Sequence, residues 1–309
     1  MRERDHNGRP SKGRRSAQQK ETNMRIGIIG AENSHTAAIA TVINVERKFA
    51  GCSVDYVWGE TDAFAEDAAK RGRIPTIVKR PRDMLGKVDA VMCDQRHGKY
   101  HLKSVWPFVE AGIPAFVDKP FCYRAEEGKA FLKMARKAGT PVTSSSTVVH
   151  YASFKRFKKK MADLGAIVAG STYGPCDLKS QWGGVFFYGI HQVAMALEAF
   201  GYDVKAAQIT KNGQDATAQL LYPSGLIVTM NLVKEGCPGF GMSALGEKGV
   251  LCKPIDRDKS PYQTEVGMVI KMFKTGVEPY THEQVLKPVQ VLEALEKSVK
   301  SGKVEKVAQ

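Results

Sequence analysis

From Met24 onward, short apolar runs alternate with stretches whose apolar residues recur every three or four positions. Strands are predicted at Arg25–Ile29, Ser53–Trp58, Asp89–Cys93, Pro114–Val117 and Pro141–Ser144. Between them the spacing predicts helices over His35–Val45, Thr61–Arg71 (closed by Gly72), Tyr100–Ala111 and Arg124–Lys137. Strands separated by helices of this length cannot pair as hairpins, so they must form a parallel sheet with crossover helices. Residues 24–145 therefore read as a doubly wound, nucleotide-type α/β domain.

After Ser145 the pattern changes. Val149–Leu164 is amphipathic, with Tyr151, Phe154, Phe157, Met161 and Leu164 on one side. Strands are predicted at Ala206–Gln208, Thr217–Tyr222, Leu226–Val233 and Gly241–Leu245, split by Asn212-Gly213, Pro223-Ser-Gly225 and Gly246. Turn residues between adjacent strands indicate an antiparallel or mixed sheet, so residues 146–309 read as a separate α+β domain. Thr281–Lys300 is predicted as a last helix, which Pro288 either kinks or begins.

Composition adds three constraints to this picture. The 309 residues include no apolar run of the roughly 20 needed to span a bilayer, so no membrane partner is expected. The net charge is +14, of which +4 lies in Met1–Asn23, a polar basic stretch expected to be a disordered extension or to precede a true start at Met24. The remaining excess favours anionic small molecules or nucleic acid. Lys155-Arg156-Phe157-Lys158-Lys159-Lys160 is the sharpest nucleic-acid candidate. Phe154 and Phe157 lie on the apolar side of that helix, so the lysines are expected to be a solvated face and no nucleic acid is expected. Six cysteines without a C-x-x-C pair suit reduced thiols in a cytoplasmic protein, and no metal-ligand spacing is found.

Candidate chemistry sits at strand ends. The turn Gly30-Ala31-Glu32-Asn33-Ser34 joins a strand to a helix, the setting of a dinucleotide pyrophosphate. Of the small residues that fingerprint requires, only Gly30 is present; Glu32 and His35 hold the other two places. Glu60, after the second strand, is a candidate for the ribose hydroxyls, and Asp62 is expected to cap the following helix. Lys119 ends the fourth strand and points toward the crevice of such a sheet, either as a ligand-binding ammonium or as a solvated surface lysine. Phe187 and His191 are four apart near a helix start and are expected to share its face. A histidine there can exchange a proton near neutral pH, or it can be structural.

Taken in order, Arg25-Ile-Gly-Ile-Ile-Gly30, Val88-Asp-Ala-Val91, Glu110-Ala-Gly112, Asp118-Lys-Pro120, Gly189-Ile-His191, Tyr222-Pro-Ser-Gly-Leu226, Gly246-Glu-Lys-Gly249 and Ser301-Gly-Lys303 resemble the Gfo/Idh/MocA oxidoreductase family. The resemblance implies an N-terminal Rossmann domain binding NAD or NADP. It implies a C-terminal domain with a large open, mainly antiparallel sheet that lines the substrate site and forms a homo-oligomer, a dimer or tetramer. Lys119 matches the lysine of the family's E-K-P motif, and His191 matches the histidine of its D-x-x-x-H helix. Phe187 stands in place of the aspartate, Ala194 in place of a frequent acid, and Asp94-Gln-Arg96-His97 in place of a T-P-x turn. The expected activity is hydride transfer between nicotinamide and a polyol, sugar or related hydroxy/keto metabolite. Lys119 and His191 are the expected catalytic groups, with Arg96, Phe187 and Tyr188 against the substrate. The alternatives are a non-catalytic ligand-binding paralogue and a lyase or hydrolase reusing bound NAD.

Overall fold

Ile26, Ile28 and Ile29 are fully buried in the computed structural model, which describes residues 23–308, because their strand runs through the middle of a sheet covered on both faces. That sheet has six strands: β1 (Met24–Ile29), β2 (Cys52–Trp58), β3 (Thr76–Ile77), β4 (Ala90–Cys93), β5 (Ala115–Val117) and β6 (Val142–Thr143). Their order is β3-β2-β1-β4-β5-β6 and every pairing is parallel. The chain winds one way from β1 through β3 and the other way from β4, so the crevice opens beyond the carboxyl ends of β1 and β4. The basic segment 1–22 lies outside the described residues.

The helices fall close to their predicted places. The first is α-helical over Ser34–Ala40 (α1) and widens to a π-helix over Thr41–Val45. The second, α2 (Asp62–Gly72), corrects one expectation: Thr61 is the N-cap, its hydroxyl accepting from the Phe64 amide, and Asp62 is the first helical residue. Gly72 lies inside that helix rather than beyond it, and Arg73 takes the left-handed terminal position. A Cβ on Gly72 would lie 2.4 Å from Ala40 Cβ, so the glycine is needed for the approach of α1 and α2. Next come α3 (His101–Glu110) and α4 (Ala125–Ala138).

The predicted helix over 149–164 is in three pieces: a 3-10 turn at Thr147–His150, α5 (Ala152–Met161) and a second 3-10 turn. Phe154 and Phe157 are buried while Lys155, Lys158, Lys159 and Lys160 are exposed, so the basic run is a solvated face.

The second sheet has seven strands. They are β7 (Ile167–Pro175), β8 (Ala206–Asn212), β9 (Asp215–Leu221), β10 (Ile227–Val233), β11 (Phe240–Gly246), β12 (Gly249–Ile255) and β13 (Glu305–Lys306), ordered β12-β11-β7-β10-β9-β8-β13. Only β7 and β10 pair in parallel; the other neighbours are antiparallel. Helix α6 (Gly189–Phe200) packs on its inner face through β7. Gly170 and Gly174 make room there: an added Cβ on either would come within 2.3 Å of the Phe200 ring or the Phe240 ring. Between them Thr172 donates to the Gln192 carboxamide oxygen (2.9 Å), and the Gln192 nitrogen donates to the carbonyls of Gly174 and Asn231.

Two C-terminal helices return toward the first sheet. On α7 (Gln263–Thr275), Val266, Val269, Ile270 and Phe273 join Ile26, Ile28 and Phe116 in one apolar cluster. Helix α8 (His282–Ser301) contains Pro288 and contacts both α4 and α6.

Candidate active site

Four loops converge on the crevice, and each is shaped by the strand it leaves. Gly30 has φ +104°, and a Cβ there would lie 2.5 Å from the Gln95 amide nitrogen. The β1 turn therefore rests directly on the loop after β4. Glu60, at the end of β2, accepts from the amides of Ala31 (2.8 Å) and Glu32 (2.9 Å) through one oxygen. Its other oxygen is buried with no partner. Asn33 caps α1 by accepting from the His35 amide, and the amides of Asn33 and Ser34 take no acceptor among the described residues.

The residues present at this end fit a dinucleotide. Two opening amides of the turn remain for a phosphate, and an unpartnered carboxylate oxygen at the end of β2 suits a ribose hydroxyl. Glu32 opposes the fit only in part, since burial and then Glu60 push its carboxyl upward while Arg96 pulls it down.

The other end of the crevice is assembled around Asp118, at the close of β5. This carboxylate is 2% exposed. One of its oxygens accepts from the Asn33 side chain (3.0 Å), pairs with His35 Nδ1 (3.0 Å) and lies 3.6 Å from Lys119 Nζ. Burial alone would raise this carboxyl, but His35 and Lys119 outweigh it and hold Asp118 far below the usual carboxylate range. Its neighbour Asp94 moves the other way, since burial and the Asp118 charge drive it well up against the Thr36 hydrogen bond and the Lys119 charge. Lys119 precedes Pro120 across a cis peptide.

His191 comes from α6, in the other domain, and is 8% exposed. Its Nδ1 is 2.8 Å from Ser146 Oγ, so proton exchange with a ligand falls to Nε2. Burial first, then the charges of Lys119 and His35, push the imidazole far below its ordinary pKa, and it is neutral at pH 7. Ser146 is itself held from both sides: Glu265, on α7, accepts from Ser145 Oγ and Thr147 Oγ1, each at 2.7 Å. Burial pushes the Glu265 carboxyl up to about 7 against the pull of those hydroxyls. A cavity of about 40 Å³ lies behind Lys119 and this serine segment.

Phe187 departs from expectation. It lies outside α6, capping the 3-10 turn Gly184–Phe186, and so does not stand one helical turn before His191. Tyr188 intervenes in a left-handed conformation (φ 67°), uncommon for a bulky side chain, and its ring packs edge-on against both Phe187 and His191. Arg96 reaches across from the β4 loop to lie over the Trp182 and Phe187 rings.

The structure thus brings together the residues singled out in the sequence: Gly30, Ala31, Glu32, Asn33, Ser34 and Glu60 at one end, and Lys119, His191, Arg96, Phe187 and Tyr188 at the other. The partners that hold them, namely Asp118 with His35, Asp94, Ser146 and Glu265, are not among the residues the sequence singles out. Among the described residues no cluster of three or more His, Cys, Asp or Glu side chains could hold a metal ion. No described helix is long and apolar enough to cross a membrane.

Residues 24–146 match the model of the oxidoreductase family Gfo/Idh/MocA, NAD-binding Rossmann fold. No curated protein matches the chain. Solved structures match nearly its whole described length. Myo-inositol 2-dehydrogenase from Lactobacillus plantarum is 17% identical over 92% of this chain and 99% of its own, with a TM-score of 0.81. Scyllo-inositol dehydrogenase from Lactobacillus casei, with bound NAD(H) and scyllo-inositol, is 14% identical over 93% and 100%, also at 0.81. An oxidoreductase from Agrobacterium radiobacter in complex with NAD+, L-tartaric acid and magnesium is 15% identical over 93% and 99%, at 0.74. At these identities the likeness is one of fold.

Proposed function

We propose that the protein is an NAD-dependent dehydrogenase of a polyol, sugar or related hydroxy/keto metabolite, with Lys119 and His191 as its catalytic residues. The observation that carries the reading is the convergence of these two groups: Lys119 lines one cavity with Ser146, whose hydroxyl is 2.8 Å from His191 Nδ1. The turn after Gly30 and Glu60 would hold the dinucleotide, which would supply the acceptor or donor for the hydride of the carbinol carbon. Neutral His191 takes the hydroxyl proton at Nε2, with Ser146 fixing the ring through Nδ1. The Lys119 ammonium, anchored by Asp118, stabilises the negative charge that grows on the carbinol oxygen. In the reverse direction imidazolium returns the proton. Arg96, Phe187 and Tyr188 form the rim against which substrate is held.

Glu60 favours NAD over NADP, because a carboxylate at the end of β2 accepts from ribose hydroxyls and repels a 2′-phosphate. The outer face of the second sheet supports a homo-oligomer: Val250 lies opposite Leu245, Leu245 opposite Ala169, and Ile227 opposite Leu221. Val250, Leu245 and Ile227 are 68%, 42% and 44% exposed, an apolar row suited to burial against a second copy. Six free cysteines suit a reducing, cytoplasmic setting.

The test is a fluorescence titration with NADH and NADPH, followed by a polyol and sugar oxidation screen read by NADH formation. We expect NADH to bind more tightly than NADPH and at least one substrate to turn over. Absence of binding by both dinucleotides at millimolar concentration overturns the reading in favour of a non-catalytic ligand-binding protein.

A further inference from the structure

Arg96 is half-buried at the rim of the crevice, and its guanidinium makes no hydrogen bond or ion pair with any described residue. It is held in place by rings: its central carbon lies 4.9 Å from the Trp182 centroid and 5.4 Å from that of Phe187. Both rings come from the other domain, so the cation is fixed across the cleft by contacts that leave its five N–H donors free. Glu32 feels its charge without pairing with it, so this arginine, partly withdrawn from water, still has its donors to offer an anion.

The surrounding charge points the same way. The carboxylates around Lys119 and His191 are withdrawn and engaged: Asp94 accepts from Thr36, Asp118 is shared by Asn33, His35 and Lys119, and Glu265 is bonded to Ser145 and Thr147. The nearest acid on the second domain's helix, Glu198, is paired with Lys158 and Tyr202. Phe187 and Ala194 add no charge. The charged side chains left with access are Lys119 (12% exposed), His35 (15%) and Arg96, with Glu32 the one acid beside them. Glu32 stands toward the cofactor end, where burial first and then Glu60 push its carboxyl upward against the pull of Arg96.

We propose that Arg96 forms an anion subsite and that the substrate is a sugar or polyol acid. Its carboxylate takes the planar guanidinium fork while its carbinol lies at Lys119 and His191. The inference rests on the dehydrogenase reading above and narrows it. Trp182 and Tyr188 supply apolar faces for the carbon chain. The dinucleotide pyrophosphate is a second source of the same anionic chemistry, and the test separates the two.

Calorimetry on the full-length protein, with and without saturating NADH, would compare each of several sugar acids with its neutral counterpart: gluconate with glucitol, glucuronate with glucose, galactarate with galactitol. Glucose 6-phosphate is included as a phosphorylated probe. We expect at least one acid to bind tenfold or more tightly than its neutral partner at low salt. Arg96→Gln should abolish that gap and Arg96→Lys should keep only part of it, with NADH affinity within twofold of wild type in both. Unchanged melting temperatures would verify that the variants fold. Equal binding of acids and neutral partners overturns the proposal, as does a gap that survives in Arg96→Gln. A tenfold loss of NADH affinity in Arg96→Gln with no effect on the acids also overturns it and assigns the guanidinium to the pyrophosphate. A wild type that binds neither dinucleotide sinks the dehydrogenase reading alone; the acid–neutral gap measured without cofactor then decides the subsite.

Discussion

The two ends of the crevice are built on opposite plans. The cofactor end is local: a turn of five residues, one glycine that permits close backbone approach, and one carboxylate that ties two amides. The proposed catalytic end is assembled from six places in the chain, with Lys119 anchored by ionic contacts to Asp118 and His191 by a neutral serine. A local turn tolerates loss of one contact because the backbone still follows the strand and helix. A site joined across two domains does not, since each side chain depends on another that is remote in sequence. The strongest effects of substitution should therefore fall at the catalytic end.

With a substrate in hand, Lys119→Ala and His191→Ala should each lower kcat about a hundredfold or more, while a fluorescence titration shows NADH affinity within a few fold of wild type. Near-normal turnover in both would dissolve the contrast and move the chemistry to other residues. Glu265→Ala should come next. It leaves two buried hydroxyls without their acceptor, and denaturant unfolding should show a loss of about 1–3 kcal/mol, against a much smaller loss in Glu265→Gln.

The same residue gives the comparison a pH signature. Glu265 titrates near 7 when folded and near its ordinary value, 4.5, when unfolded. The folded state thus binds the extra proton between those values. That contribution to stability is fully present below about 4.5 and is lost as pH rises to about 7. The stability of wild type relative to Glu265→Gln should fall across that window. A difference that stays flat from pH 4.5 to 7 would show that the carboxyl titrates normally.

At the cofactor end, Glu60→Ala should weaken NADH binding about tenfold by freeing the turn and removing the ribose acceptor, roughly 1.4 kcal/mol. The smallest change expected is a few-fold tightening of NADH in Glu32→Gly, which removes a carboxyl from beside the phosphate path. If that substitution weakens binding instead, Glu32 is a ligand contact rather than an obstacle.

This contrast also governs what could be read from the chain. Strand and helix positions follow from periodicity, and the turn at Gly30, Glu60, Lys119 and His191 lie where strand ends and helix starts put them. The partners did not follow, because Asn33 and Asp118 are 85 residues apart, and Glu265 is 120 and 118 from the hydroxyls it holds. His35 seemed only to damage a glycine fingerprint and Asp118 only to shorten a glutamate; the structure pairs these two departures. Helix α7 was within reach, since Val266, Val269, Ile270 and Phe273 have helical spacing. Strand β7 was obscured by Gly170 and Gly174, which weaken a strand signal because their purpose is to receive rings. Phe187 failed for a local reason: the left-handed Tyr188 breaks the helical register between it and His191.

Those two glycines set the mutational character of the substrate domain. The ring of Phe240, which lies over Gly174, also packs against the His191 imidazole at 5.3 Å, and Phe200 over Gly170 ends the helix that carries it. The depth at which the catalytic imidazole sits is therefore registered by positions that have no side chain. In a library randomised along the inner face of β7, selection for a folded protein should return glycine at both sites. Selection for activity should tolerate an alanine only where the facing phenylalanine has shrunk in the same clone. Paired changes of that kind offer a way to shift His191 without touching it.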